Sequence, residues 1–428
     1  MKKLIKTILI LLPSISLAQD LSYCSGDQRF IIDSNKALEK EICEDPHYII
    51  CKKDGNHTSY ISRPDKILEQ LKLKAKLDLF EEYKDDLSPC GITSVEDFDI
   101  DNLEEIRIQQ STSDGTCILN IDPQNPENNL GIIDMMRSIM ELKLEEELRK
   151  AIDDRRDIAH EAYRLIKDKL IAVMKKELKG KLSPEKIAEK VASVDKTIPL
   201  FSVSFKSMNK QFPKIDIFER QKIISGYASI CGLMTNPLHN AYYAQYEING
   251  EKRDFMVICP GVTLSGMEES QTLRSLYESY VTVVSHELGH QISINMEDTD
   301  IFEKYNQCLR DNIPSSEIKL SPSTYNREAQ ADFWAKRVLG EVLKEMKDLP
   351  VKERIIFMRE SNLILCDSED DGSHHSDQLR INRTLRYTKD FEEAFNCSEY
   401  PRQFKMNKPI DCGLDGATPF MATKKTRR

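Results

Sequence analysis

Five residues, His286-Glu287-Leu288-Gly289-His290, constrain this chain more than any other stretch. Two histidines four apart on a helix lie about 40° apart around its axis, so both imidazoles can reach one metal ion. Glu287 stands about 100° from His286, beside such an ion, and can take a proton from a reacting water. The flank of Leu276, Val283, Val284, Leu288 and Ile292 predicts a buried helix rather than a surface one. Gly289 costs about 1 kcal/mol of helix propensity against alanine, and its lack of a side chain predicts that another segment comes close beside the histidines. The pentapeptide alone arises by chance in about one chain in a hundred of this length, so its meaning depends on context.

Two histidines need a third ligand to close a site. Glu328-Ala329-Gln330-Ala331-Asp332 begins 38 residues after His290 and is expected to open a second helix. Ala331, Ala335, Val338, Leu339 and Val342 form its apolar face. Glu328 and Asp332, four apart, share one side of it. One carboxylate can ligate the metal; the other can accept the outer N–H of a ligand histidine and fix its tautomer. Two acids at a helix start could instead complement the helix dipole. Coming after H-E-x-x-H, the ligand reading is the stronger.

These residues carry a resemblance. H-E-x-x-H followed by E-x-x-A-D resembles the thermolysin-type zinc peptidases, and more closely the neprilysin family. Asn240-Ala241-Tyr242-Tyr243 is similar to that family's substrate-binding edge segment, and Cys259-Pro260-Gly261-Val262 to its P-A-G-I segment. Phe302, Tyr305 and Cys308 are similar to its stretch after the zinc helix. The C-terminal run resembles the family's in spacing: His374, Arg380-Ile381-Asn382-Arg383-Thr384-Leu385, Phe391 to Cys397, then Met406 to Cys412. Near the start, Cys43 and Cys51 keep the family's eight-residue spacing.

The resemblance implies an α+β, mainly helical fold: a thermolysin-like zinc peptidase catalytic domain with a reduced N-terminal helical cap domain. It implies one Zn2+ held by His286, His290 and Glu328, with Glu287 as general base and Asp332 behind the ligands. Asn240 and the backbone of Ala241 would hold an extended peptide by strand-like pairing. His374 would stabilise the oxyanion, with His375 the competing candidate, and Arg380 would bind a substrate carbonyl. It pairs Cys43–Cys397, Cys51–Cys366, Cys90–Cys117 and Cys308–Cys412. Cys231 and Cys259 flank the substrate segment and can pair, which leaves Cys24 as the odd one. The implied activity is endopeptidase cleavage of peptides or unfolded proteins. The alternative is an inactive neprilysin-like module that binds peptides or proteins. A structural zinc domain fits less well, because such sites are usually closed and rich in cysteine.

The chain also departs from the family. Arg327 replaces the glycine before the ligand glutamate, and Gln291 the glycine after the second histidine. Gly372 stands where an acid precedes the catalytic histidine, with Asp371 one place off, and Asp415 replaces a tryptophan. Only 26 residues lie between Cys90 and Cys117, where the family carries a long helical insertion. A reduced cap predicts a more open cleft.

Residues 1–18 read as a signal peptide: Lys2, Lys3 and Lys6, then the apolar run Thr7 to Leu12, then Ser16-Leu17-Ala18. Its removal takes three lysines and shifts the net charge from −10 to −13. Such a chain is expected to be secreted or periplasmic, with no stable membrane anchor. Its acidity argues against a nucleic-acid partner. Export makes disulfides the default role for the 11 cysteines, an odd number that leaves one over.

The remaining organisation is expected as follows. Residues 19–120 form a disulfide-tied strap and reduced cap, 121–200 a charged helical segment, 201–423 the catalytic domain and 424–428 a basic tail. In the charged segment Met136, Met140, Leu144, Leu148 and Ile152 recur at spacing four and predict one core-facing stripe in a helical stretch from Ile132 to about Leu178. Ser183-Pro184-Glu185 predicts a helix start, with Ile187, Val191 and Val194 facing inward. The sequence leaves the oligomeric state open.

Overall fold

The computed structural model describes residues 35–53, 56–87, 94–95, 143–144, 146–201, 215, 217–231, 240–248, 250–265, 272–294, 299–312, 322–366, 376–385, 388–397 and 410–419. The leader, Cys24, Cys90, Cys117, Met136, Met140, His374, His375 and the basic tail lie outside the described residues.

The chain is mainly helical, with a small mixed sheet. An N-terminal strap comprises α1 (Asn35–Glu44) and a π-helical turn (Tyr48–Lys52), followed by the long α2 (Asn56–Leu87). Leu144, Leu148 and Ile152 are buried, as their spacing predicts. The helical stretch is interrupted once among the described residues, by a turn at 154–155 that precedes α3 (Arg156–Glu177). α4 (Pro184–Lys196) begins as its sequence predicts, the Ser183 side chain accepting from the Lys186 N–H. Val194 is buried, and Ile187 and Val191 pack partly against the core.

Three strands follow: β1 (Ile198–Leu200), then after α5 (Ile217–Cys231) the hairpin of β2 (Ala241–Ile248) and β3 (Glu251–Ile258). β3 is central, parallel to β1 and antiparallel to β2, with Tyr243 opposite Met256 and Gln245 opposite Asp254. Gly250, at φ 77°, turns the hairpin in a conformation that costs a side-chain-free residue nothing. β2 therefore lies at an edge of this sheet. Period-two alternation sends Phe255 and Val257 to one face, into a small core with Ile223, Tyr227 and Cys231 of α5, and Met256 and Ile258 to the main core on the other.

The main core is built on helices. After α6 (Pro260–Ser265) comes α7 (Leu273–Ile294), followed by α8 (Glu303–Asn312), α9 (Pro322–Glu345) and α10 (Val351–Asn362). A π-helical turn (Leu379–Leu385), α11 (Lys389–Ala394) and the hairpin of β4 (Ile410–Gly413) and β5 (Gly416–Pro419) complete the chain. α7 is wrapped by α3, α9 and α10 and by the β2–β3 hairpin. Leu276, Val283, Val284, Leu288 and Ile292 are all buried, as are Ala331, Ala335, Val338, Leu339 and Val342 of α9. Each fully buried Leu, Ile or Val is worth about 1.5–3 kcal/mol, so these facing stripes make the α7–α9 contact a rigid platform.

Four disulfides tie the described residues: Cys43–Cys397, Cys51–Cys366, Cys231–Cys259 and Cys308–Cys412. Three of these are pairings the resemblance implies, and the fourth is the pairing left open for Cys231 and Cys259. Cys90–Cys117 lies outside the described residues. Among them no helix is long and apolar enough to cross a membrane.

Candidate metal centre

α7 and α9 meet where the chemistry-bearing residues stand. A Cβ built at Gly289 would lie 2.9 Å from Ala331 Cα and 3.0 Å from its carbonyl oxygen. Only a glycine lets the backbone of α9 come this close, and that approach brings Glu328 and Asp332 against the histidines. α9 begins at Pro322, not at Glu328 as the sequence suggests. Glu328 therefore lies well inside the helix, where complementing the dipole is no explanation for it.

His286 Nε2 and His290 Nε2 are 3.1 Å apart. Glu328 closes the triangle, with Oε2 3.3 Å from His286 Nε2 and Oε1 3.6 Å from His290 Nε2. Four-coordinate sites with N and O ligands at about 2.0–2.1 Å put neighbouring donors about 3.3 Å apart. The three separations bracket that length, so this donor set fits a small tetrahedral cation. Donor atoms of His286, Glu287 and His290 lie within 4.8 Å of one another.

On the far side of its ring, His286 Nδ1 faces Asp332 Oδ1 at 2.9 Å. Such a bond holds the ring with Nε2 turned toward the donor triangle. Asp332 also takes Arg380 through Nε at 3.2 Å and a terminal nitrogen at 2.8 Å. Lys336 Nζ, one turn along α9, stands 3.5 Å from Asp332 Oδ2. Burial alone would raise the Asp332 carboxyl; Arg380, Lys336 and His286 override it and hold the group well below the usual carboxylate range. Burial lowers Lys336 to about 8 despite Asp332. Against burial, Asp332 and Glu328 raise His286 to about 9. Protons and a metal ion would therefore compete for this imidazole.

Glu287 is nearly buried, with Oε1 3.9 Å from His286 Nε2. Burial raises its carboxyl to about 7, with His286 opposing and Glu328 adding to the rise. A carboxyl near neutrality is suited to taking and returning a proton. Its Oε2 accepts the Tyr243 N–H at 3.2 Å. That N–H points away from β3, and the strand alternation gives the same outward aim to the N–H of Ala241, Gln245 and Glu247. The outer edge of β2 thus runs past Glu287. Asn240, half-buried at the head of β2, accepts from the Ala241 N–H at 2.8 Å and donates to the Tyr242 hydroxyl at 2.9 Å.

The residues expected from sequence fall into three groups. His286, Glu287, His290, Glu328 and Asp332 converge, and Asn240 and Ala241 begin the strand beside them. Arg380 joins the cluster through Asp332, with only 6% of its surface exposed and a terminal nitrogen 3.3 Å from His286 Nδ1. His374 lies outside the described residues.

Two further side chains take part beyond those the sequence motifs single out. Lys336 carries a readable signal, since it is four residues from Asp332 on one helix. Gln291 stands out in the sequence only as a departure from glycine. It is fully buried and accepts from Thr197 Oγ1 at 2.8 Å while its amide donates to Ser193 and to Asp254 Oδ2. Asp254 Oδ1 in turn accepts from the Tyr243 hydroxyl at 2.6 Å. Glu287, Tyr243, Asp254 and Gln291 thus pin the edge strand to the helix that carries both histidines.

No protein-family model, curated protein or solved structure matches this chain.

Proposed function

We propose that this chain is a zinc-dependent endopeptidase of thermolysin-like fold, acting on peptides or unfolded proteins in an extracellular or periplasmic setting. The observation that carries the reading is the triangle of His286, His290 and Glu328 donors at 3.1, 3.3 and 3.6 Å, with Asp332 behind it and Glu287 beside it. Two imidazoles and one carboxylate with a fourth position left for water or substrate are the donor set of catalytic rather than structural zinc. A zinc ion bound there would supply Lewis-acid chemistry, making a water acidic near pH 7 and polarising the scissile carbonyl. The four disulfides of the described residues support export, in keeping with the signal-like pattern of residues 1–18 in the sequence.

The protein's own residues would share the remaining work. The edge of β2 holds the peptide extended by backbone pairing. Glu287 takes the proton of the attacking water as its oxygen bonds to the carbonyl carbon. Glu287 then returns that proton to the nitrogen as the C–N bond breaks, and the remaining proton of the new carboxyl passes to the amine, so the products leave as a carboxylate and an ammonium. The resemblance gives the developing oxyanion to His374 and a substrate carbonyl to Arg380. The Arg380–Asp332 contacts hold the guanidinium beside the ligand set, consistent with that role.

Digestion of a mixed peptide pool, read by mass spectrometry, tests the proposal. Internal cleavages should appear, vanish with a chelator and return with zinc. A protein that binds one zinc per chain and cleaves no peptide would support the binding-module alternative.

A further inference from the structure

The N-terminal strap meets the C-terminal part of the chain at a second buried cluster. His47 is 4% exposed, and its Nε2 lies 2.8 Å from Asp377 Oδ2. The His47 backbone N–H donates to Asn382 Oδ1 at 3.0 Å, and Asn382 Nδ2 donates to Asp45 Oδ1 at 3.2 Å. Asp45 Oδ1 also receives the Tyr48 N–H at 3.0 Å. Donor atoms of His47, Cys51 and Asp377 lie within 4.8 Å of one another, a spacing that suits a metal. Cys51 is committed to Cys366, however, so its sulfur is not available as a thiolate ligand.

A different role follows from what the strap holds. Asp377 and Asn382 flank Arg380, the residue that reaches Asp332 behind His286. Cys366 and Cys397 flank the same segment in sequence, and both are bonded to the strap, at Cys51 and Cys43. The strap thus grips this segment covalently outside it and by hydrogen bonds within it. The backbone there is a π-helical turn, Leu379–Leu385. Such turns are rare and persist where their surroundings hold them.

We infer that His47 is a positioning residue: through Asp377 and Asn382 it fixes the turn that delivers Arg380 to Asp332, and so the orientation of His286. A buried imidazole bonded to a carboxylate from another element orders both. Its loss releases the turn at one end while the disulfides keep the chain joined. The kinetic consequence rests on the peptidase reading; the structural one does not.

The test uses the full, disulfide-intact protein and three variants. His47→Phe keeps a ring of similar size and the backbone N–H but removes the side-chain bond. His47→Gln keeps a donor that can reach Asp377. Asp377→Asn, at a half-buried position, probes the bond from its other end. Amide exchange over residues 379–385 should speed up about tenfold in His47→Phe and Asp377→Asn, and return toward wild type in His47→Gln. The efficiency of peptide cleavage should follow the same order, falling about tenfold, while each variant still binds one zinc per chain. Wild-type exchange in His47→Phe, or equal impairment in His47→Phe and His47→Gln, would overturn the assignment. If the wild type cleaves nothing, the peptidase reading fails, and the exchange measurement still decides the role of His47.

Discussion

Gly289 and Ala331 touch backbone to backbone: a Cβ at Gly289 would stand 2.9 Å from Ala331 Cα. The clash would be with a neighbouring helix, which cannot rotate away as a side chain can. Gly289→Ala should therefore cost about 1–3 kcal/mol of stability and push Glu328 away from the histidines. Thermal melting and a zinc-affinity titration check this. An unchanged melting point with unchanged affinity would show that α9 can yield without cost.

Asp332 is the hub behind the ligands. Asp332→Asn removes the charge facing Arg380 and Lys336 and weakens the bond that orients His286. Zinc affinity should fall about 10–100-fold. Urea unfolding should show a loss of about 3 kcal/mol or more, because two buried cations lose their counter-charge. Competition against a chromophoric chelator gives the first number. An affinity within a factor of two of wild type would remove Asp332 from the site.

A pH effect is expected at Glu278, two turns before His286 on α7. Burial raises this carboxyl to about 7, although Arg274 beside it at 2.7 Å opposes the rise. The folded state thus binds the proton more tightly than the unfolded chain, whose value is near 4.5. The group's contribution is complete below about pH 4.5 and is lost as pH rises to about 7. Once ionised it is about 3 kcal/mol less favourable than an unperturbed carboxyl. Glu278→Gln should melt higher than wild type at pH 8, with the gap closing at pH 5. Arg274 keeps Glu353 at 2.8 Å, which limits the loss in the variant. A gap that is wider at pH 5 would reverse the sign and refute the argument.

Non-reducing peptide mapping should recover Cys43–Cys397, Cys51–Cys366, Cys231–Cys259 and Cys308–Cys412. Each bridge should be worth about 2–5 kcal/mol. Recovery of a Cys43–Cys51 peptide would contradict both the fold of the strap and the grip it has on the segment around Arg380.

What could be read from the sequence follows the range of the interactions. His286, Glu287 and His290 sit on one helix, so spacing alone orders them. The facing of Glu328 and Asp332 followed from the same periodicity, and Gly289 forecast the close approach. α9 starts at Pro322 rather than at Glu328, and Ser321-Pro322 repeats the serine–proline signal of Ser183-Pro184. The turn at 154–155 carries no glycine or proline to announce it. The bonds of Gln291 to Ser193, Thr197 and Asp254 join three separate parts of the chain, and no local pattern encodes them. The same holds for His47 and Asp377, which lie 330 residues apart.

The central claim is that Glu287 moves the proton while His286, His290 and Glu328 hold the metal. The most direct measurement compares wild type and Glu287→Gln for zinc content and peptide hydrolysis on one preparation. The account predicts one zinc per chain in both proteins and at least a hundredfold loss of turnover in the variant. Undiminished hydrolysis by Glu287→Gln would contradict it.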